Sequence, residues 1–92
     1  MSDRAYQGIY YDEPHVQAEF ERLVQRIRDA EQARGPIGDR HRQAERTVET
    51  GDMSDAEYRS VDDAYIAANN AIAAAQRAVD EFLRMHRNYR TR

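Results

Sequence analysis

The chain has 92 residues, a formal net charge of −3 and no cysteine. This length predicts one small acidic domain that hides only a modest part of its surface when it folds alone. The lack of cysteine excludes disulfides, thiolate metal ligands and cysteine nucleophiles. No apolar run approaches the length of a membrane span and the first residues lack the apolar core of a signal peptide, so we expect a cytoplasmic protein without a membrane segment.

The composition favours helices over a disordered chain. Alanine, the strongest helix former, occurs 14 times, and eight of these copies fall between Ala64 and Ala78. All 14 basic residues are arginine. This usage is typical of a GC-rich genome, and we therefore expect a bacterial or phage source.

Residues 1–12 form a tyrosine-rich N-terminal arm without a sustained hydrophobic period. Aromatic side chains with a polar tip are frequent interface anchors, so the apolar residues of this arm are candidates for contact with another protein. They are Tyr6, Ile9, Tyr10 and Tyr11. The sequence leaves open the alternative that they pack on their own domain.

A first helical segment is predicted to begin near residue 13. Asp12 and Glu13 suit the positive end of a helix dipole, and Pro14 is tolerated in the first turn. Apolar or small residues then recur at alternating steps of four and three, the spacing of helices that pack side by side in a coiled coil. They are Val16, Phe20, Leu23, Ile27 and Ala30, and the same spacing continues through Arg34, Ile37, His41, Ala44 and Val48.

The stretch from Gly35 to Gly38 is expected to interrupt this helix. Pro36 removes a backbone donor and disfavours helical geometry in the residue before it. We therefore predict two nearly collinear segments, 13–34 and 37–50, joined by a kink. Two fully separated helices are the alternative.

A turn is predicted after residue 50. Gly51 can take the left-handed conformation that ends a helix. Ser54 and Glu57 have the spacing of a capping box, and Met53 and Tyr58 flank them at the positions of a hydrophobic staple. Two independent start signals thus place the beginning of the next helix at the same residue.

The second helix is predicted over residues 54–89, followed by a basic C-terminal end at 90–92. Apolar or small residues keep the three-four spacing along its whole length. They are Tyr58, Val61, Tyr65, Ala68, Ile72, Ala75, Val79, Phe82, His86 and Tyr89. Folding the chain back at the turn sets Phe20 near Phe82, and Ile27 near Ala75 and Val79. The predicted fold is therefore all-α, an antiparallel helical hairpin with a kinked first arm and one long second helix.

The second helix also carries apolar residues outside this spacing, which one opposing helix would leave uncovered. They are Ile66, Ala67, Ala71, Ala73, Ala74, Ala78, Leu83 and Met85. The arm could cover them, or a second copy could pair to form a dimeric four-helix bundle. We favour the homodimer, and we add Ile66, Ala73, Leu83 and Met85 to the arm residues as protein-interface candidates.

Histidine is the natural starting point for catalysis or metal binding. The hairpin brings His15 and His86 together at its open end, with Glu19 one turn away, but the chain has no dense ligand spacing of a metal motif. No phosphate-binding loop or nucleophile elbow is present either. We expect no metal, no cofactor, no catalytic residue and no enzymatic activity.

His41 falls on the predicted contact between the helices. Folding the hairpin brings it towards Asp62 or Asp63. A hydrogen-bonded histidine that fixes the register of two helices is more frequent than a catalytic base, so we predict a structural role.

Four arginines crowd the last nine residues, where no acid occurs: Arg84, Arg87, Arg90 and Arg92. They are candidates for contact with nucleic acid. The alternative is structural, because cations suit the C-terminal end of a helix dipole and the hairpin sets this arginine tail beside the acids of the open end. Those acids are Asp12, Glu13, Glu19 and Glu21.

In its acidic, alanine-rich, cysteine-free character the chain resembles the hundred-residue helical hairpins exported by type VII secretion. Tyr58 and Asp62 also reproduce the tyrosine-to-acid spacing of their export signal. Two features depart from that family. The turn reads Thr50-Gly51-Asp52-Met53-Ser54 without the family's tryptophan, and the tyrosine and acid open the second helix instead of following it. We therefore do not assign the chain to this family.

The function that these observations favour is a non-enzymatic protein-interaction module: an adaptor, an inhibitor or an assembly component, with a homodimer and a protein partner of unknown identity. The alternative is a small dimeric nucleic-acid-binding regulator that uses the arginine tail.

Overall fold

The computed structural model describes residues 6–92 and consists of two long antiparallel helices. Helix α1 spans Pro14–Glu49 and helix α2 spans Asp55–Met85. Their contacts form a hairpin that measures 57 × 20 × 16 Å. The predicted all-α helical hairpin is confirmed, and α1 begins with Pro14 in its first turn as expected.

The turn between the helices has the predicted chemistry. Gly51 adopts a φ of +79°, and the Gly51 and Asp52 amides donate to the carbonyls of Val48 and Thr47 in a Schellman arrangement. The Ser54 hydroxyl then accepts a 3.2 Å hydrogen bond from the Glu57 amide and caps α2. Both ends of the turn thus satisfy backbone groups that a helix terminus would otherwise leave unpaired.

Helix α1 continues without a break through Pro36, so the predicted division into segments 13–34 and 37–50 is wrong. Pro36 has no N–H, so the Gln32 carbonyl lacks its donor within the helix. Gln32 and Pro36 are both exposed, and this side of the helix is therefore in contact with water. On the opposite side, the position of a Cβ on buried Gly38 would lie 3.6 Å from the Tyr65 ring. The packing against α2 is therefore uninterrupted where the hydrogen bond is lost.

The core lies between the helices at their open end. Ile27 and Val79 are fully buried, and the Phe20 and Phe82 rings lie 6.1 Å apart, as the predicted register requires. Burial of a large aliphatic side chain contributes about 1.5–3 kcal/mol each. The cluster of buried residues that forms the core lies in this half of the hairpin.

The end of α2 differs from the prediction of a helix to residue 89. The helix ends at Met85, and strand β2, Arg90–Thr91, pairs antiparallel with strand β1, Ile9–Tyr10. The Arg92 amide extends this ladder by donating to the Gly8 carbonyl over 2.9 Å. The chain ends therefore close the hairpin with a two-stranded sheet, which adds a small β element to the predicted all-α fold.

Candidate functional site

Tyr11 lies at the centre of an aromatic cluster that joins the arm to both helices. Its side chain is only 4% exposed, and its ring meets the Phe20, Phe82 and Tyr89 rings edge-on at centroid distances of 5.5 to 6.1 Å. Its hydroxyl donates to the His86 carbonyl over 2.7 Å. Burial, with a smaller contribution from Tyr89, raises the pKa of Tyr11. Tyr11 is therefore a core residue, and for it the structure favours packing within its own domain.

The other arm candidates are partly buried against the hairpin. Tyr6 donates its hydroxyl to Asp80 over 2.9 Å. Burial and then this bond raise the pKa of Tyr6 to about 12. Ile9 packs against the core, and the Arg92 guanidinium lies 4.9 Å from the centre of the Tyr10 ring. The arm is thus fixed to the hairpin through side chains as well as through strand pairing.

The described part of the arm, residues 6–12, lies on one side of α2. Asp80, the residue that Tyr6 binds, follows Ala78 by two positions. Residues two positions apart in a helix point to nearly opposite sides, because each residue turns the direction by about 100°. The side of α2 that carries Ala78 therefore faces away from the arm.

That uncovered side forms a second line of three-four spacing, which we call the alanine face. Its apolar members are Ala64, Ala67, Ala71, Ala74, Ala78 and Met85, and the same spacing includes the exposed acid Glu81 between the last two. The Met85 side chain is 73% exposed, and Ala64, Ala67 and Ala71 are exposed as well, whereas Ala74 and Ala78 are partly buried. Among the other predicted interface residues, Ile66 is 48% exposed on another side of α2, whereas Ala73 and Leu83 are partly buried.

His41 forms the polar contact predicted between the helices. It is 9% exposed, its Nε2 lies 2.8 Å from a carboxylate oxygen of Asp62, and its ring stacks on Tyr65 at 4.4 Å. Its Nδ1 lies 3.5 Å from a Glu45 carboxylate oxygen. Glu45 lies on α1 itself, so it is the contact with Asp62 that joins the two helices and favours this register of α1 on α2.

The two histidines at the open end occupy different environments. The His15 side chain is 82% exposed and lies 3.5 Å from Glu13. The His86 ring instead stacks on Phe82 at 4.3 Å. Over residues 6–92, no three histidine or acidic side chains are arranged to hold a metal ion.

The arginine tail is divided between structural contacts and exposed positions. Arg90 forms a 2.6 Å ion pair with Asp12, as expected for a charge-neutralised open end. Arg92 covers the Tyr10 ring. Arg84 and Arg87 are exposed, and among the described residues neither guanidinium forms an ion pair with an acid.

Comparisons of this chain with protein-family models, with curated proteins and with solved structures found no match in any of the three. In the part of the chain that the structure describes, neither helix is long and apolar enough to cross a membrane.

Sequence reasoning missed the strand pairing and the bond between Tyr11 and His86. The glycine at position 8 offered one signal, because glycine readily adopts a positive φ. Its φ is +85° where the chain enters β1. The run Ile9, Tyr10 and Tyr11 offered another, because β-branched and aromatic residues favour strands.

Proposed function

We propose that this protein is a non-enzymatic protein-interaction module, an adaptor, inhibitor or assembly component of bacterial or phage origin that acts in the cytoplasm. Its contact surface is the alanine face of α2. The observation that carries the proposal is that Ala64, Ala67, Ala71 and Met85 of this face are exposed in the described structure, although residues 6–12 of the arm are docked on another side of the helix.

The shape of the molecule supports a need for further contacts. Its radius of gyration is 17.8 Å, against about 12 Å for a compact domain of this length. Two helices in contact bury only one side of each, and a chain this short gains little core by itself. A partner on the alanine face would bury apolar surface that the hairpin alone leaves in water.

The polar contacts also support an interaction role over catalysis. Several side chains of the types that often act in catalysis are engaged in structural contacts instead. These contacts join His41 to Asp62, Tyr11 to the His86 carbonyl, and Arg90 to Asp12. Catalytic groups instead require an accessible space beside a nucleophile or a proton donor. We place the function on the surface of α2 for this reason.

A nucleic-acid-binding regulator is the competing hypothesis. Binding through the arginine tail would weaken steeply with salt and would disappear when Arg84, Arg87, Arg90 and Arg92 are all changed to alanine. The internal contacts of Arg90 and Arg92 make this the weaker hypothesis. Absence of binding to duplex DNA or RNA at low salt would remove it.

The test of the proposal is site-specific crosslinking in the native host. A photo-reactive residue replaces Ala74 on the alanine face or, as the matched control, exposed Ala18 on the outer side of α1. We expect protein adducts from position 74 alone. The captured protein is then identified and the complex is rebuilt from purified components with and without Ala71→Arg, which we expect to abolish it. Equal adducts from both positions, or a complex that is insensitive to Ala71→Arg, would contradict the proposal.

A further inference from the structure

We propose that the outer edge of strand β1 binds an extended peptide segment of another protein. The peptide pairs with Ile9 as a third, antiparallel strand and places one apolar side chain in the cavity between β1 and α1. This surface is separate from the alanine face, so the inference goes beyond the proposed function.

The hydrogen-bond pattern of the small sheet leaves Ile9 unpaired on one edge. Ile9 lies opposite Thr91, and the Arg92 amide donates to the Gly8 carbonyl over 2.9 Å. In an antiparallel ladder with this bond, the pair formed by Ile9 and Thr91 is the kind that exchanges no hydrogen bonds. The main-chain N–H and C=O of Ile9 therefore point away from β2, and within residues 6–92 neither group forms a hydrogen bond.

The free edge of β1 faces α1. The next N–H on that edge belongs to Tyr11, and it donates to the Gln17 Oε1 atom of α1 over 2.8 Å. A side-chain carbonyl thus takes the place that the main-chain carbonyl of a third strand would fill. The two groups of Ile9 on the same edge have no such substitute among the described residues.

A cavity of about 170 Å³ lies beside this edge. Its walls include Ile9 and two buried residues of α1, Phe20 and Val24. Gln7 and Glu21, which are exposed, also line it, so the cavity opens to the surface. An apolar side chain in this space would be removed from water against the two core residues.

Antiparallel pairing determines how the peptide lies on this edge. The peptide residue opposite Ile9 exchanges two hydrogen bonds with it, and the two side chains lie on the same face of the sheet. Because Ile9 packs against the core, the side chain of that peptide residue also faces the helices and enters the cavity. Its two neighbours point to solvent. The partner is therefore an extended peptide with one apolar residue between polar residues, held by main-chain bonds and selected by a single pocket.

The test uses a synthetic peptide, acetyl-Thr-Thr-Leu-Thr-Thr-amide, and the isotope-labelled full chain. We expect saturable shifts of the Ile9 amide and Val24 methyl resonances in nuclear magnetic resonance spectra. A peptide with threonine in place of leucine should bind about tenfold more weakly, because its side chain buries less apolar surface. Absence of shifts at millimolar peptide, or shifts confined to the alanine face, would overturn the proposal.

Two N-methylated forms of the peptide test the strand pairing on the wild-type protein. A methyl group on the leucine nitrogen removes the donor to the Ile9 carbonyl and should weaken binding at least about tenfold. A methyl group on the nitrogen of the following threonine, which points away from Ile9, should leave the dissociation constant unchanged. Equal binding of the two forms, or the reverse order, would overturn the antiparallel pairing.

Two glutamines of α1 provide matched protein variants. Gln17 and Gln25 each donate a 2.9 Å hydrogen bond to the acid four residues further on, but only Gln17 accepts from the Tyr11 N–H. Gln17→Ala frees this N–H for the carbonyl of the first threonine of the peptide. We expect Gln17→Ala to bind the leucine peptide about fivefold more tightly and Gln25→Ala to bind it like wild type. Equal affinities of the two variants would show that the peptide does not extend along this edge and would overturn the proposal.

Discussion

Tyr11 donates its hydroxyl hydrogen to the main-chain carbonyl of His86, the residue that follows α2 as its C-cap, across 75 residues of sequence. The bond satisfies a carbonyl that the helix end would otherwise leave to water. It also directs the Tyr11 ring into the aromatic cluster between Phe20 and Phe82. One side chain thus joins the arm, the end of α2 and the core.

Removal of this hydroxyl should destabilise the protein measurably. We expect Tyr11→Phe to lower the free energy of unfolding by about 0.5–1.5 kcal/mol, because the ring stays in place but the hydrogen bond is lost. Tyr11→Ala should cost about 3–5 kcal/mol through the cavity that it leaves. Urea unfolding at fixed protein concentration measures both.

The adjacent tyrosine provides the control for that experiment. The Tyr10 ring contacts Arg92 through its face, a contact that Tyr10→Phe preserves. We expect a change below about 0.5 kcal/mol for this variant. Equal destabilisation by Tyr10→Phe and Tyr11→Phe would argue against the bond to His86.

Stability should fall in strongly alkaline solution because of Tyr6. Its pKa is about 12 in the folded protein against 10.0 for the free side chain, so the folded state binds the phenol proton more tightly than the unfolded state. The contribution is fully present below pH 10 and is lost as the pH rises towards 12. Unfolding measured between pH 9 and pH 12 should show this decline.

Two variants assign that decline to the arm. Tyr6→Phe should flatten the profile relative to wild type, and Asp80→Asn should lower the Tyr6 pKa by removing the carboxylate that accepts its hydrogen bond. A titration followed by phenolate absorbance reads the pKa directly. An alkaline profile unchanged by Tyr6→Phe would mean that the bond to Asp80 does not form.

The two prolines of the chain should respond differently to alanine. Pro36→Ala restores the donor missing inside α1, and we expect a gain of about 1–3 kcal/mol in the free energy of unfolding. Pro14→Ala changes the first turn, where proline already fits, and should alter stability by less than about 1 kcal/mol. Thermal unfolding compares the pair, and a loss of stability in Pro36→Ala would contradict a continuous α1.

The cap of α2 offers a separate test of the turn. Ser54→Ala removes the acceptor of the Glu57 amide and should cost about 1 kcal/mol. Ser60 lies six residues further along, in the helix interior, where alanine is the better helix former. Ser60→Ala should therefore not destabilise the chain, and a similar cost for the two variants would show that the loss at Ser54 is unrelated to capping.

The sequence by itself determined the hairpin. The three-four spacing that contains Phe20 and Val79 and the turn signals around Gly51 act over neighbouring residues, so their outcome can be read from spacing and local backbone preference. That register brought His41 towards Asp62 or Asp63, and the structure shows the contact with Asp62.

Only the tertiary structure decided the strand pairing at the open end of the hairpin and the continuity of α1. The pairing of Ile9 with Thr91 and the bond from Tyr11 to His86 join groups that are distant in sequence, and their formation depends on where the helices bring the chain ends. Pro36 remains in a helix because the packing of α1 on α2 outweighs one lost hydrogen bond. Local helix propensity cannot predict this result, because it takes no account of packing against another helix.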